Sequence, residues 1–159
     1  MKYAFLNGQK VYKVQETASE YAVSCMDEVE VGWLYKNGEF LPPPGTLKFE
    51  KQKKLQEINN IRSYKLAQPV LYNSNPYDSD QKSIQNLTNT IAAYSSQPLP
   101  NNYTWRTADN QNIVVTLEDL KAILLKIMEQ VNLIYNTSWE KKQQVEQSTT
   151  IQAVQSIVW

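Results

Sequence analysis

The chain has 159 residues, 42% of them hydrophobic, which suits one globular domain with a small appendage. Because 16 basic residues balance 16 acidic ones, general attraction to nucleic acid is not expected. The sequence has no histidine and one cysteine, which excludes the commonest general base, a disulfide within the chain and a thiolate zinc cluster.

Neither a membrane-spanning segment nor a phosphate-binding loop is predicted. No stretch approaches the ~18 apolar residues that a spanning helix requires. The apolar N-terminal stretch, residues 1–8, is too short for a signal peptide. The 4 glycines form no glycine-rich loop. We therefore expect a soluble protein made in the cytoplasm, without a cofactor, a metal or a membrane partner.

Residues 1–41 are predicted to form two β-hairpins. Asn7-Gly8 and Asn37-Gly38 each stand between runs of apolar and aromatic residues. An Asn-Gly pair in that position is a strong hairpin signal, because both residues tolerate the positive φ of a tight turn. The four strands are predicted over 2–6, 10–15, 29–35 and 39–41.

Three consecutive prolines, Pro42 to Pro44, follow the second hairpin. Proline lacks a backbone donor and favours an extended, polyproline-like path, so this run stops any strand. We therefore predict a stiff boundary between an N-terminal β module, residues 1–44, and a second domain, residues 45–159. A surface loop inside a single domain is the alternative.

Two helices are predicted next. Thr46 can cap a helix over 46–67, whose apolar residues at helical spacing are Leu55, Ile58 and Ile61. A short strand within 70–77 follows. Asp78, with Gln81 three residues later, has the pattern of a capping box for the second helix.

A third hairpin and a long helix are predicted in the rest of the chain. The strands cover 103–107 and 113–116, and Thr116 with Asp119 forms another capping box. The helix runs to about 147, and its apolar residues step by 3 and 4: Leu117, Leu120, Leu124, Ile127, Val131 and Ile134. The sequence thus predicts an α+β fold, with an N-terminal β-hairpin module followed by a helical domain containing a small hairpin and a long C-terminal helix.

Two blocks of the second domain form recognisable motifs. The first comprises Tyr72-Asn73 and Tyr77-Asp78-Ser79-Asp80-Gln81-Lys82-Ser83-Ile84-Gln85-Asn86, and the second comprises Trp105-Arg106-Thr107-Ala108-Asp109-Asn110 and Val115-Thr116-Leu117-Glu118-Asp119-Leu120. They resemble the "YNG..FDSDEKSRQNI" and "W.TADN…VTLTAADL" patterns of the DUF4376 domain of tailed phages. The resemblance covers about residues 47–147. The chain departs from the pattern at Asn75 and in its long apolar C-terminal end.

The N-terminal module also resembles a known element. The stretch from Val29 to Phe40, followed by the three prolines, looks like the "VGW.YDGG.F.PP" module that often precedes the DUF4376 domain. This module also occurs in tail-fibre assembly proteins. The resemblance implies a phage or prophage tail protein, either a tail-fibre assembly chaperone or a small fibre-associated protein, and it carries over no catalytic residues.

The expected partner is therefore the phage tail-fibre protein, met in the host cytoplasm during assembly. A fibre chaperone needs an exposed apolar surface rather than a pocket. The candidate contact residues lie in the second hairpin and in the last nine residues: Trp33, Tyr35, Phe40, Ile151, Val154, Ile157, Val158 and Trp159. Formation of a homo-oligomer is left open.

Two other functions are considered. The first is a structural virion protein retained at the fibre tip. The second, more remote, is a glycan hydrolase that uses paired carboxylates such as Glu28 and Glu30. These two acids alternate with Val29 as the solvent face of a strand would, so the sequence favours a binding protein over an enzyme.

Overall fold

A computed structural model describes residues 1–159, which form two compact units. One unit comprises residues 1–56 and 144–158, and the other comprises residues 57–143 with Trp159. The predicted α+β fold class is confirmed. The boundary predicted at residue 44 does not coincide with this division, which falls inside the first helix.

The first unit contains a five-stranded antiparallel sheet of order β3-β1-β2-β4-β5. Both predicted hairpins are present, turning at Asn7-Gly8 and Asn37-Gly38, where three of these four residues have positive φ. The strands are β1 Lys2–Asn7, β2 Lys10–Gln15, β3 Val23–Cys25, β4 Leu34–Lys36 and β5 Glu39–Leu41.

The stretch 29–33 differs from its prediction as a strand. It forms a turn, in which the Val29 N–H donates to the Met26 carbonyl and the Trp33 N–H to the Glu30 carbonyl. Gly32 has a φ of +100°, a conformation that breaks a strand and that glycine adopts without a steric penalty. The apolar residues of this stretch are part of the core of the unit. Val29 and Trp33 are buried together with Ala4, Val11 and Cys25.

Four helices and two further hairpins complete the fold. The helices are α1 Leu47–Leu66, α2 Gln81–Ala93, α3 Leu117–Gln147 and α4 Ile151–Gln155. The hairpins pair β6 Val70–Tyr72 with β7 Asn75–Tyr77, and β8 Thr104–Arg106 with β9 Asn112–Val114. None of the helices combines the length and apolar character that crossing a bilayer demands.

The predicted helix starts are confirmed in two cases. The Thr46 hydroxyl accepts from the Phe49 N–H at 3.2 Å at the start of α1. At the start of α3, the Thr116 hydroxyl accepts from the Asp119 N–H at 3.1 Å, and the Asp119 carboxylate accepts from the Thr116 N–H at 2.8 Å. These reciprocal bonds form the predicted capping box and satisfy donors that an isolated helix leaves unpaired.

The predicted cap of α2 is wrong by two residues. Asp80, not Asp78, caps this helix, and its carboxylate accepts from the Lys82 and Ser83 N–H groups at 2.8 and 3.1 Å. The residues on either side of Asp78 are held by other contacts, because Tyr77 ends β7 and Ser79 is buried. The helix therefore starts two residues later than the sequence pattern suggests.

The core of the second unit confirms that the regularly spaced apolar residues of α3 pack internally. Leu120, Ile123 and Ile127 are fully buried there. The same core contains four residues from the preceding segments: Val70, Tyr77, Leu87 and Val115. The opposite side of α3 exposes Leu125, Leu133 and Trp139.

Candidate functional site

The candidate site is a groove of about 990 Å³ in the first unit. Two strand regions line it, β3 with the residues after it and β5 with the turn before it. We call it the edge groove, and its lining residues are Met1, Ser24, Cys25, Met26, Asp27, Gly38, Glu39, Phe40, Leu41 and Gln52. Its walls therefore come mainly from these two strand regions, and they include the carboxylates of Asp27 and Glu39.

The predicted contact residues of the second hairpin fall into two groups. Phe40 lines the edge groove and is partly buried, and its ring packs against that of Tyr35 at an angle of 44°, with centroids 4.7 Å apart. Trp33 is only 3% exposed and belongs to the core. Its indole stabilises the unit, so the structure offers no free Trp33 surface for a partner.

A cation covers the buried Trp33. The Lys48 ammonium lies 4.4 Å from the centroid of the indole and 3.0 Å from the Glu28 carboxylate. This arrangement combines a cation–π contact with an ion pair, and it ties α1 to the turn that carries Trp33. The ion pair with Lys48 therefore gives Glu28 a structural role.

The acids considered for hydrolysis, Glu28 and Glu30, lie on the surface of the first unit. Glu28 is bound to Lys48, Glu30 is exposed, and neither lines the edge groove. No group of three or more histidine, cysteine, aspartate or glutamate side chains is placed to hold a metal ion.

The predicted contact residues at the C-terminus are also divided between core and surface. Val154 in α4 is 1% exposed, whereas Val158 is 71% exposed. Ile151 and Ile157 are partly buried. Trp159 is partly buried as well, and the Lys65 ammonium lies 5.8 Å from its ring centroid. Of the five residues, Val158 is the one that presents most of its side chain to solvent.

The two blocks that resemble a family motif hold the second unit together. The buried Ser79 hydroxyl lies 3.0 Å from the Leu66 carbonyl and 2.8 Å from that of Gln68, so it donates to the end of α1. The Ala108 N–H donates to the Pro76 carbonyl at 2.9 Å, which joins the second block to the first. Since a buried donor or acceptor is costly when unpaired, these residues have a folding role.

A third link connects Tyr72 to the capping box of α3. The Tyr72 hydroxyl donates to the Asp119 carboxylate at 2.8 Å. This bond raises the pKa of Tyr72. Hydrogen bonds from Thr116, and then from Tyr72, lower the pKa of Asp119, so the carboxylate stays ionised at neutral pH.

The motif blocks also line a second, polar cavity of about 340 Å³. Its lining residues are Asp78, Ser83, Asn86, Thr104, Trp105, Arg106, Thr107 and Asn110. The Arg106 Nε donates to the Asn110 side chain at 3.1 Å, and the buried Thr107 hydroxyl accepts from the Gln111 N–H at 2.9 Å. The cavity offers donors and acceptors, and two of its lining side chains, Arg106 and Asn110, pair with each other.

Sequence reasoning missed one wall of the edge groove. Strand β3 was not predicted, so Met26 and Asp27 were not considered as site residues, and Cys25 was considered only as a nucleophile that lacks a base. A signal exists in the sequence, because Val23, Ser24 and Cys25 alternate apolar, polar and apolar as a half-buried strand does. Burial raises the pKa of the Cys25 thiol, which therefore stays protonated and serves as an apolar wall.

The chain is thus an α+β protein with an open-edged antiparallel sheet and a second unit held together by two sequence blocks. A family model described as "Domain of unknown function (DUF4376)" matches residues 49–158, and the protein belongs to this family. The matched range contains both blocks but none of the strands β1 to β5. Neither a curated protein nor a solved structure shows significant similarity to the chain.

Proposed function

We propose that this protein is a phage tail-fibre assembly chaperone. It binds the fibre chain in the host cytoplasm and covers fibre surface until trimerisation buries that surface. The observation that carries the proposal is the edge groove, which lies in the N-terminal module that resembles one found in tail-fibre assembly proteins. The protein acts by binding, without a catalytic step.

The exposed surface of the first unit supports this role. Met26 is 57% exposed, Val31 is 63% exposed and Leu41 is 36% exposed, and the first and last of these line the groove. Contiguous exposed apolar surface commonly marks a site of protein association. The partner would be a folding intermediate whose own apolar surface is temporarily uncovered.

Co-expression with a tail-fibre gene of the same phage or prophage tests the proposal. We expect a several-fold higher yield of soluble fibre trimer, measured by size-exclusion chromatography with light scattering. The Phe40→Ser variant should support less fibre, because it removes an apolar side chain from the groove. Circular dichroism checks that this variant is folded. An equal yield of trimer without this protein would refute the chaperone function.

Mass spectrometry of purified virions distinguishes the two fibre-associated roles. A chaperone is released once the trimer has formed and should be absent from particles. Stoichiometric retention on the particle would instead identify a structural protein of the fibre tip.

A further inference from the structure

We propose that the edge groove takes up one short extended segment of the partner as an additional β-strand between β3 and β5. The identity of that partner as the fibre chain rests on the proposed function, whereas strand binding does not. This mode of recognition is β-augmentation, in which main-chain hydrogen bonds supply affinity and alternate side chains supply specificity.

The topology of the sheet is the first observation. Strands β3 and β5 stand at opposite ends of the order β3-β1-β2-β4-β5, yet both line the same groove. The sheet is therefore coiled so far that its two free edges border one space. Edge strands leave unpaired N–H and C=O groups, and here both edge strands border one groove. On the wall that follows β3, the Met26 carbonyl already accepts from the Val29 N–H and the Asp27 carbonyl from the Lys2 ammonium, so those two acceptors are not available.

The backbone of β5 has its free groups on the groove side. The Tyr35 N–H donates to the Gln9 carbonyl at 2.5 Å, so the hydrogen-bonding groups of Tyr35 point towards β2. Tyr35 is paired with Phe40 in the β4–β5 hairpin. In an antiparallel ladder such a pair exchanges no backbone hydrogen bonds, so the N–H and C=O of Phe40 point away from β4. They are available to an added strand.

The volume suits a short strand. A strand residue occupies about 160 Å³, from a rise of ~3.3 Å, a strand spacing of ~4.8 Å and a layer spacing of ~10 Å. The groove volume of about 990 Å³ therefore corresponds to roughly six residues. Each wall contributes a run of four residues, 24–27 and 38–41, so the walls can pair with only part of a segment of that length.

The side chains of the groove define the chemistry of the occupant. Cys25, Phe40 and Leu41 present apolar surface, which favours alternate apolar side chains in the segment. Asp27 and Glu39 add two carboxylates, but the terminal ammonium of Met1 lies 3.4 Å from Asp27 and offsets its charge, so Glu39 is the carboxylate left to attract a basic side chain. The complementary segment is therefore an apolar strand that carries a basic residue.

The neighbouring residues limit what else can bind. Both edge strands have only three residues, and Pro42 follows β5 directly. Short edges, charges and proline are the features by which proteins prevent indiscriminate strand pairing. The groove should therefore accept a short segment rather than extend into an aggregate.

Two synthetic hexapeptides provide the test on the full-length chain. One alternates valine and threonine around a central lysine, and the other carries glutamate in place of the lysine. Hydrogen exchange should slow at the Phe40 amide when the lysine peptide binds. The Tyr35 amide, already bonded to Gln9, is the internal reference and should not change. Peptide binding without protection of the Phe40 amide overturns strand addition.

Charge exchange tests the specificity. Asp27 already lies 3.4 Å from the terminal ammonium, so the variant is Glu39→Lys. It should weaken the lysine peptide about tenfold at low salt and strengthen the glutamate peptide by a similar factor, with both effects reduced at high salt. Glu20→Lys, an exposed acid outside the groove, is the matched control and should leave both affinities nearly unchanged.

The outcomes separate this inference from the proposed function. If the protein raises the fibre yield and the Phe40 amide stays unprotected in the fibre complex, the strand inference fails and the chaperone function stands. If the peptides bind as expected but fibre assembly does not depend on the protein, the chaperone function fails instead. A concentration-dependent dimer with a protected Phe40 amide would identify a second copy as the occupant and overturn the proposal of a partner segment.

Discussion

At the residue scale, Asp119 connects two parts of the second unit. Its carboxylate accepts from the Thr116 N–H and hydroxyl and from the Tyr72 hydroxyl. All three bonds favour the ionised form, which is why the pKa of Asp119 lies below its ordinary value of 3.8. A single side chain thus caps α3 and fixes it to β6.

The pH dependence of stability follows from this lowered pKa. Ionised Asp119 stabilises the folded state above its ordinary pKa, and this stabilisation is lost as the pH falls through the lower folded-state value. Asp119→Ala should cost about 1–2 kcal/mol of unfolding free energy at neutral pH, measured by urea denaturation. The difference from wild type should stay constant above about pH 5 and shrink as the pH falls below the ordinary pKa of 3.8 towards the lower folded-state pKa.

The neighbouring Glu118 supplies the control for this variant. It is exposed and forms only an i,i+3 ion pair with Lys121 at 3.6 Å. Glu118→Ala should therefore change the unfolding free energy by less than about 0.5 kcal/mol. A difference between wild type and Asp119→Ala that is independent of pH would contradict the role assigned to the charge.

At the scale of elements, the start of α2 shows how tertiary contacts select between two local signals. Asp78 and Asp80 both precede the helix, and each could cap it by sequence alone. The chain between them is fixed by the buried Ser79, whose hydroxyl bonds the end of α1. Once Ser79 points inwards, Asp80 is the residue that reaches the free N–H groups of the helix.

A pair of variants tests this selection. Asp80→Ala should lower the unfolding free energy by about 1 kcal/mol, since it removes the bonds to the Lys82 and Ser83 N–H groups. Asp78→Ala should have little effect. Thermal unfolding followed by circular dichroism measures both, with an expected loss of about 2–4 °C for the first variant. A larger loss of stability for Asp78→Ala than for Asp80→Ala would show that Asp78 caps the helix instead.

At the scale of the whole molecule, a segment near the C-terminus, residues 144–158, belongs to the same compact unit as the N-terminal strands. Residues 144–158 are grouped with residues 1–56, and Val154 is almost fully buried. Within this unit the Lys51 ammonium donates to the Glu146 carbonyl at 2.6 Å, which joins α1 to the last turn of α3. The apolar C-terminal segment is thus part of the fold as well as a candidate contact surface.

Val154 and Val158 separate these two roles. Val154→Ala should lower the unfolding free energy by about 2 kcal/mol, because it removes buried methyl groups and leaves a cavity. Val158→Ala, at a position 71% exposed, should leave stability unchanged within about 0.5 kcal/mol. Chemical denaturation measures both. Equal losses for the two variants would contradict the burial seen at Val154.

Local patterns in the sequence are sufficient to determine much of this protein. The Asn-Gly turns, the capping box from Thr116 to Asp119 and the 3,4 spacing along α3 each act within a few residues, and each is confirmed. Only the tertiary structure decided that Asp80 caps α2, that Trp33 lies in the core and that β3 and β5 share one groove. These features depend on contacts between residues far apart in the chain, and hydrophobicity alone does not distinguish a core side chain from a partner-binding one.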